Sequence, residues 1–553
     1  MSTNKFDDLL TQLGTGKWNL LYFLGSAYWC LWMPPQFISG IYLAPAVNYT
    51  CLPPENESVV EISQDSCSYM VRTSSSVELE EGLCSEWDFD TSVFSSTLTS
   101  EFSLVCGRGH LRATYQSIYM LGTFISPLLA GYLADRFGRK IVVVVTQVVT
   151  ALTSLSLCFL TNFIAILIVR FIMGSVNLLT FFILALEVCE PKHRGTVGIL
   201  TGLPWALGTM AWGAMAYLIR DWRWLQAAVS LPSVLIFFPL YFMDESPRWL
   251  IVNGQHDSAL RVLQKAARWN NATIPLEEDL RDLMRNIQDE SSTPLREPGT
   301  PLKKVGRKKL CGFLPVPSLL STRAITIVTL VVCFDFFAVS LVFDGLNLSG
   351  DNYSADPFLY IVLGGLMEVP GYSLTALIIN RWGRRIPTAL SYILCGLVIL
   401  VLAFIPNEVS WLAMTLAMAG KMSISGAYQI IYIYSSELFP TKVRLQGIGA
   451  SSEFAQLAST VLPYITAYLG TFIPWVPSVI FGCVSMMAGL ATLALHETMG
   501  IALPDTISDL SSTVKRTLKN KSVRKENEIH LNMYQRNFLR GIPVHLLPLS
   551  LLY

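Results

Sequence analysis

The chain has 553 residues, 52% of them hydrophobic and only 14% charged, with a mean hydropathy of +0.46. Soluble globular domains carry about 25% charged residues, so the composition excludes an ordinary soluble domain and points to a chain solvated largely by lipid. Lys plus Arg and Asp plus Glu both number 40; there is no basic excess to draw nucleic acid, and no such partner is implied.

Residues 1–18 are polar, and the apolar run that follows at 19–44 is too long for the core of a cleaved signal. It reads as a first membrane helix. A polar segment at 45–110 comes next, with eleven acids against Arg72 and Arg108. Five further apolar runs centre on 114–133, 141–160, 163–184, 198–219 and 226–243. The second polar segment, 244–322, holds twelve Lys or Arg, with a cluster at Lys303, Lys304, Arg307, Lys308 and Lys309. Six more runs lie at 323–345, 357–380, 386–405, 410–434, 446–469 and 474–495, before a polar tail at 496–553 that ends in a short apolar stretch. A helix needs about 20 apolar residues to cross about 30 Å of hydrocarbon, and a closed barrel would need short alternating strands instead. The chain is therefore expected to be an all-α membrane protein with twelve transmembrane helices. Its halves are 19–243 and 323–495, with a linker at 244–322.

Charge sets the expected orientation. The loops Asp135–Lys140 and Pro191–Arg194 are short and basic, which places them, the linker and both termini in the cytoplasm. The acidic segment then faces outside, where Cys51, Cys67, Cys84 and Cys106 are expected to form two disulfides; four cysteines allow three pairings. Sequons at Asn48 and Asn56 suit glycosylation on that side, while those at Asn271 and Asn520 fall on the other, and Asn347 and Asn352 lie close to the bilayer.

The charged punctuation repeats. Gly131-Tyr-Leu-Ala-Asp135-Arg136-Phe-Gly138-Arg139-Lys140 follows the second run, and Asn380-Arg381-Trp-Gly383-Arg384-Arg385 follows the eighth. Glu187 precedes Arg194 by seven residues after the fourth run, and Glu437 precedes Arg444 by seven after the tenth. Asp244-Glu245-Ser-Pro-Arg248 ends the sixth run, and His496-Glu497-Thr498 ends the twelfth. Three kinds of cluster recurring in one order mark a duplicated six-helix unit. Acids and bases at neighbouring helix ends can pair on the inner face and hold it closed, so these residues are candidate gating groups. For a single loop, a topogenic role alone would suffice.

The first of these loops resembles the signature of the major facilitator superfamily. Within it, Cys84-Ser-Glu-Trp87-Asp-Phe89-Asp90…Thr97…Glu101…Cys106 is similar to the large outer loop of the organic cation/anion/zwitterion transporters, solute carrier family 22. Trp222-Arg-Trp-Leu…Pro232, Glu245-Ser-Pro-Arg-Trp-Leu250, Glu368-Val-Pro-Gly371 and Glu437-Leu-Phe-Pro-Thr441 agree with that family. Sugar porters share the Glu-Ser-Pro-Arg motif but lack the cysteine loop. The resemblance implies a central cavity between the halves and transport at the plasma membrane of a small organic cation or zwitterion. Na⁺ or H⁺ is the candidate coupling ion, and no cofactor is implied.

Ionisable residues inside membrane runs are costly and usually functional. Glu368 matches a position where cation carriers of the family keep Glu. Lys421 falls where members keep Lys or Arg; it can bind a carboxylate or neutralise Glu368 or Asp335, and neutralisation is favoured; Asp335, an uncommon acid in the seventh run, is itself a candidate contact. Gln456 stands where cation carriers tend to have Asp and anion carriers Arg, which removes the usual charge label; Glu453, three residues earlier, can supply it instead. Gln456 equally suits a plain helix contact. Trp205, Trp212, Phe336, Phe337, Tyr428 and Tyr432 are candidate aromatic contacts for an ammonium group, Tyr428 and Tyr432 sharing a helix face. No nucleotide-binding loop or metal-ligand spacing appears, so an enzyme or ATP-driven pump is not indicated. The rival readings are an organic anion exchanger of the same family and a transporter-shaped receptor or scaffold.

Overall fold

The computed structural model describes residues 5–52, 59–63, 66–72, 79–177, 180–292, 319–350, 356–406, 409–441, 443–470, 473–500, 504, 507 and 509–510. The sequons at Asn56, Asn352 and Asn520, the Lys303–Lys309 cluster and the end of the tail lie outside these residues.

Each of the twelve apolar runs is helical. Spans 1 to 3 are Lys17–Phe37, His110–Phe137 and Arg139–Ser156. Spans 4 to 6 are each in two pieces: Phe163–Ser175 with Thr180–Glu187, Arg194–Leu200 with Gly202–Leu218, and Trp222–Val234 with Phe237–Phe242. Spans 7 to 10 are Arg323–Leu348, Pro357–Trp382, Arg385–Leu402 and Ser410–Leu438; span 11 is Arg444–Tyr464 continued by a π-turn at Ile465–Leu469, and span 12 is Val476–Thr492. Five of these helices are individually long and apolar enough to cross a membrane, and a sixth qualifies as a pair bent by 44° after Pro127. Of the remainder, spans 1, 10 and 11 are long but less apolar, and the others are interrupted or shorter; span 6 counts among the five with its two pieces taken together. Proline explains part of this, because it removes one i→i−4 hydrogen bond and crowds the preceding turn: span 2 bends at Pro127, and span 6 breaks just past Pro232.

The halves meet along spans 2 and 11 and along spans 5 and 8. Close approach is permitted by small residues: a Cβ on Gly365 of span 8 would lie 2.8 Å from the Ala206 carbonyl of span 5, and one on Gly213 3.0 Å from that of Phe358. Small residues at helix contacts are the usual means of packing where lipid removes the hydrophobic drive.

One end of the bundle carries the cysteine segment, which adds two small antiparallel sheets to an otherwise helical chain. Tyr49–Leu52 pairs with Glu86–Phe89, and Val59–Ile62, Ser68–Arg72 and Leu79–Leu83 form a three-stranded sheet. Of the three pairings, the structure has Cys51–Cys84 and Cys67–Cys106. The segment is fastened to the bundle through its C-terminal part. Ser95 N donates to the Arg220 carbonyl, Trp222 Nε1 donates to Glu101 Oε2 at 2.8 Å, and Arg223 forms an ion pair with Glu101.

At the other end the polar linker folds. Pro247–Val252, His256–Asn270 and Glu277–Ser292 are helices, and they pack on an N-terminal helix, Lys5–Leu13. Leu9 and Leu13, Leu260, Leu263 and Ala267, and Leu280, Met284 and Ile287 lie at three- and four-residue spacing and bury one apolar face on each helix. Asn270 joins the parts. Its Oδ1 accepts from Trp18 N at 3.0 Å, and its Nδ2 donates to the Leu13 and Gly14 carbonyls and to Asn19 Oδ1.

Candidate functional site

The repeated loops have one construction. Gly138 has φ +101° and Gly383 φ +84°, in the left-handed region that a side chain disfavours. Each turn leads into a helix whose first N–H groups lack partners within the helix. Glu245 Oε1 accepts from Arg139 N at 2.8 Å and Lys140 N at 3.0 Å; Glu497 accepts from Arg384 N at 2.9 Å and Arg385 N at 3.0 Å. A Cβ on Gly138 would sit 2.4 Å from Glu245 Oε2, and one on Gly383 2.6 Å from Glu497. The glycine is thus needed twice, for the turn and for the carboxylate that caps the next helix. Burial pushes the Glu497 carboxyl up, but backbone donors from Arg384, Met499, Arg385 and Thr498 outweigh it and hold the group below its ordinary value.

Side chains complete each cluster. Arg139 Nε lies 3.3 Å from Glu187 Oε1 and its Nη1 3.0 Å from Asp135, while Arg384 Nη2 lies 3.0 Å from Glu437 Oε1. The second half has Asn380 where the first has Asp135, so Arg384 lacks that second acid. These pairs lie inside each half. Arg194 turns to Asp7 of the N-terminal helix at 2.7 Å rather than to Glu187, and Arg444 donates to the Phe439 carbonyl and Thr441 rather than to Glu437. Arg136 bonds the Tyr132 hydroxyl, Arg248 stands over the Phe6 ring, and Arg381 is exposed.

A fully buried ion pair lies in the second half. Lys421 of span 10 reaches Glu368 of span 8 at 3.0 Å, with side-chain exposures of 2% and 0%. Its Nζ also donates to Asn347 Oδ1 at 2.8 Å and the Phe343 carbonyl at 3.3 Å, both on span 7, and sits 3.3 Å from the Phe343 ring centroid. Tyr372 donates to the other Glu368 oxygen at 3.3 Å. One ammonium therefore ties three helices. Of the two acids open to it, Lys421 takes Glu368.

Asp335 is elsewhere. It is fully buried, accepts from Thr492 Oγ1 of span 12 at 3.0 Å, and its backbone carbonyl accepts from Tyr392 of span 9. It belongs to the packing of spans 7, 9 and 12, away from the halves' contact, because the helical period points it to the far side of span 7 from Lys421. The acid on the near side is Asp344, which the sequence reading passed over. It accepts from Ser459 Oγ at 2.6 Å and Ser340 Oγ at 3.2 Å. Asp344 lies one residue from the end of the run as read to 345; the helix continues to Leu348, which sets this acid a turn inside it. An acid in an apolar run, the signal that selected Asp335, would have selected it too.

Gln456 Oε1 accepts from Thr123 Oγ1 at 2.9 Å and joins spans 11 and 2 across the halves, as a helix contact. Glu453 is partly buried and enters no ion pair among the described residues; its Oε2 accepts no hydrogen bond. Tyr428 and Tyr432 stand 5.7 Å apart, and Tyr428 lies 5.4 Å from Phe343 and Tyr432 4.9 Å from Phe336, so an aromatic row runs along span 10 from the Lys421 pair. Tyr432 is 38% exposed. Phe337 packs at the rim of the same core. Trp205 packs on Phe37 of span 1, and Trp212 is buried beside Tyr42.

Span 4 contributes a second unforeseen residue, the buried Arg170. It lies between the Tyr115 and Tyr119 rings at 4.7 and 4.3 Å and donates to the Gln36 carbonyl at 3.2 Å. It is a lone base in an apolar run, and the sequence shows it as such. Near the cysteine segment, Phe358 of span 8 is inserted among Tyr42, Phe94 and Tyr217, with Arg220 over its ring. Hydrogen bonds from Tyr42 to Pro357 and between Thr114 and Tyr464 also join the halves at that end.

A family model described as sugar (and other) transporter matches residues 82–506. The chain is 30% identical over 539 residues to an organic cation transporter protein of Drosophila melanogaster, with 91% of this chain and 94% of that one covered. It is 32% identical to solute carrier family 22 member 2 of Rattus norvegicus, over 81% and 76% of the two chains. It is also 32% identical to organic cation/carnitine transporter 2 of Homo sapiens, over 78% and 75%. The xylose transporter XylE from E. coli in an inward-open conformation matches with a TM-score of 0.59 at 14% identity, over 90% of this chain and 98% of that one. XylE bound to 6-bromo-6-deoxy-D-glucose matches with a TM-score of 0.56 at 15% identity, over 92% and 99%. At such identities the structural likeness is one of fold.

Proposed function

The chain belongs to solute carrier family 22 of the major facilitator superfamily, a multi-pass membrane transporter of organic ions, and on that premise we propose that it carries small organic cations or zwitterions by alternating access at the plasma membrane. The observation that carries this reading is the buried Glu368–Lys421 pair between spans 8 and 10. A buried pair stays neutral only while both partners remain, and removing one leaves a charge in low dielectric. A solute ammonium that engages Glu368 weakens its hold on Lys421 and frees spans 7, 8 and 10 to shift. Tyr428, Tyr432 and Phe337 offer ring faces on the approach; Trp205 and Glu453 flank it on spans 5 and 11. Gln456 serves the contact between the halves.

The basic loops and both termini are cytoplasmic in this reading, and the disulfide segment, with an exposed Asn48 for glycan, lies outside. Phe358 and Tyr42 close the outer end. The Gly138–Glu245 and Gly383–Glu497 clusters act as gates by keeping each half rigid, with their acids available to the other half when the inner end closes. A Na⁺ or H⁺ gradient is the candidate drive.

Uptake in cells by a panel of permanent cations, zwitterions and anions, with and without each gradient and at two membrane potentials, tests the proposal. Saturable cation or zwitterion uptake, strongly weakened by Glu368→Gln, is the expected result. Uptake of anions alone would favour the exchanger reading, which has Arg170 as its specific support. No saturable uptake by a protein that reaches the surface would reject the carrier.

A further inference from the structure

The interiors of the two halves differ in charge. Within the spans of the first half, away from the end loops, Arg170 is the base and no acid stands against it. Within those of the second, Asp335, Asp344, Glu368 and Glu453 stand against Lys421 alone. Asp335 faces spans 9 and 12 and Glu453 lies on span 11, which leaves Glu368 paired with the one ammonium and Asp344 next to the span 7 residues that hold it. Phe343 and Asn347, which hold Lys421 on span 7, flank Asp344 in the chain. Asp344 is 5% exposed and takes both of its described hydrogen bonds, from Ser340 and Ser459, on the single oxygen Oδ2. Glu368 Oε1, fully buried, faces Lys421 Nζ at 3.0 Å without accepting an aligned hydrogen bond. Glu368 thus pairs with the one base while Asp344 lies beside the residues that hold it, in a place where an uncompensated charge is expensive.

We infer that Asp344 sets the charge class of the solute: it leaves the Glu368–Lys421 cluster one negative charge in excess, and the ammonium group of the transported molecule supplies the missing positive charge. The inference rests on the carrier reading and deepens it. Asp344 does the work that Gln456 cannot do, from span 7 rather than span 11. Hydroxyl donors from Ser340 and Ser459 keep the carboxylate oriented while the site is empty, a charge-assisted arrangement that needs no second base.

Tetraethylammonium, a permanent cation that neither gains nor loses a proton, is the probe, with para-aminohippurate as the anion and surface abundance measured for every variant. Asp344→Asn is expected to raise the KM for tetraethylammonium about tenfold or more, the scale of one lost charge-assisted contact. Asp344→Glu is expected to restore it. Adding Lys421→Gln to Asp344→Asn returns the cluster to one negative charge, and part of the cation affinity should return with it. If Asp344→Asn does not reach the surface, the comparison of Lys421→Gln with that double variant still reads the charge at position 344, and an equal cation KM in the two overturns the inference. An unchanged KM in Asp344→Asn overturns the inference, as does a variant that loses only its response to pH while the cation KM holds, which would assign the excess charge to a proton. If the unaltered chain carries para-aminohippurate and no tetraethylammonium, the carrier reading for cations fails first and independently.

Discussion

The Phe358 ring lies 5.4 Å from that of Tyr42 at an interplanar angle of 18°, stacking span 8 of the second half on the short helix Gly40–Leu43 that follows span 1 of the first. Phe94 of the cysteine segment touches both rings, at 5.5 and 6.5 Å, so the outer segment is part of the seal between the halves. Aromatic pairs of this kind contribute about 0.5–1.5 kcal/mol each beyond their buried area. Phe358→Ala should therefore shift the chain toward a state open at this end. A cysteine placed at Trp205 should be labelled several-fold faster by an impermeant thiol reagent added outside. An unchanged labelling rate would show that the seal lies elsewhere.

Gly138 and Gly383 permit a sharper comparison. A Cβ at either position meets both a disfavoured φ and a carboxylate within 3 Å. Gly138→Ala and Gly383→Ala should each destabilise the purified protein by about 1–3 kcal/mol. Gly131→Ala, two turns earlier, has open space around it and should be neutral in the same thermal melts.

The Glu497 carboxyl is held below its ordinary 4.5. A depressed value in the folded state contributes stability that is present above the unfolded value and lost as pH falls through the folded one. Melting temperature should therefore drop on acidification below about pH 4.5, and Glu497→Gln should lower it at neutral pH while flattening that acid limb. A variant with the parent's acid limb would remove Glu497 as its source.

Lys421→Met leaves Glu368 and Asp344 without their base. Breaking a buried pair from one side costs about 3–5 kcal/mol, and the variant should melt well below the parent. Adding Glu368→Gln should recover part of the loss, because one of the stranded charges is gone. Equal melting of single and double variants would show that the pair is not coupled.

The N-terminal helix Lys5–Leu13 is held through Asn270 and by Asp7 with Arg194. Asn270→Ala strands several of these groups at about 1–3 kcal/mol for each that stays buried. Cleavage near Gly14 by added protease should quicken, while the disulfide segment keeps its resistance.

Much of this protein is determined by sequence alone, for a physical reason: lipid demands long apolar helices, and period and length are properties of the chain. The twelve runs, the duplicated halves and the acidic cysteine segment follow from that, and so do the glycine–carboxylate loops, whose glycines answer to backbone geometry. Tertiary structure decided what depends on direction and partner. Asp335 and Asp344 are alike as acids in one apolar run, yet the turn of span 7 sends the first to spans 9 and 12 and the second to Ser459 of span 11. Lys421 had two acids on offer, and only the packing of span 10 against span 8 selects Glu368. Arg194 and Arg444 kept their spacing from Glu187 and Glu437 but not their partnership, because a side chain pairs with what lies near it in space, and the N-terminal helix brought Asp7 closer. The cysteine pairing had the same origin: three pairings were open to the sequence, and the strand register that sets Cys51 opposite Trp87 belongs to the folded segment in which Cys51 meets Cys84.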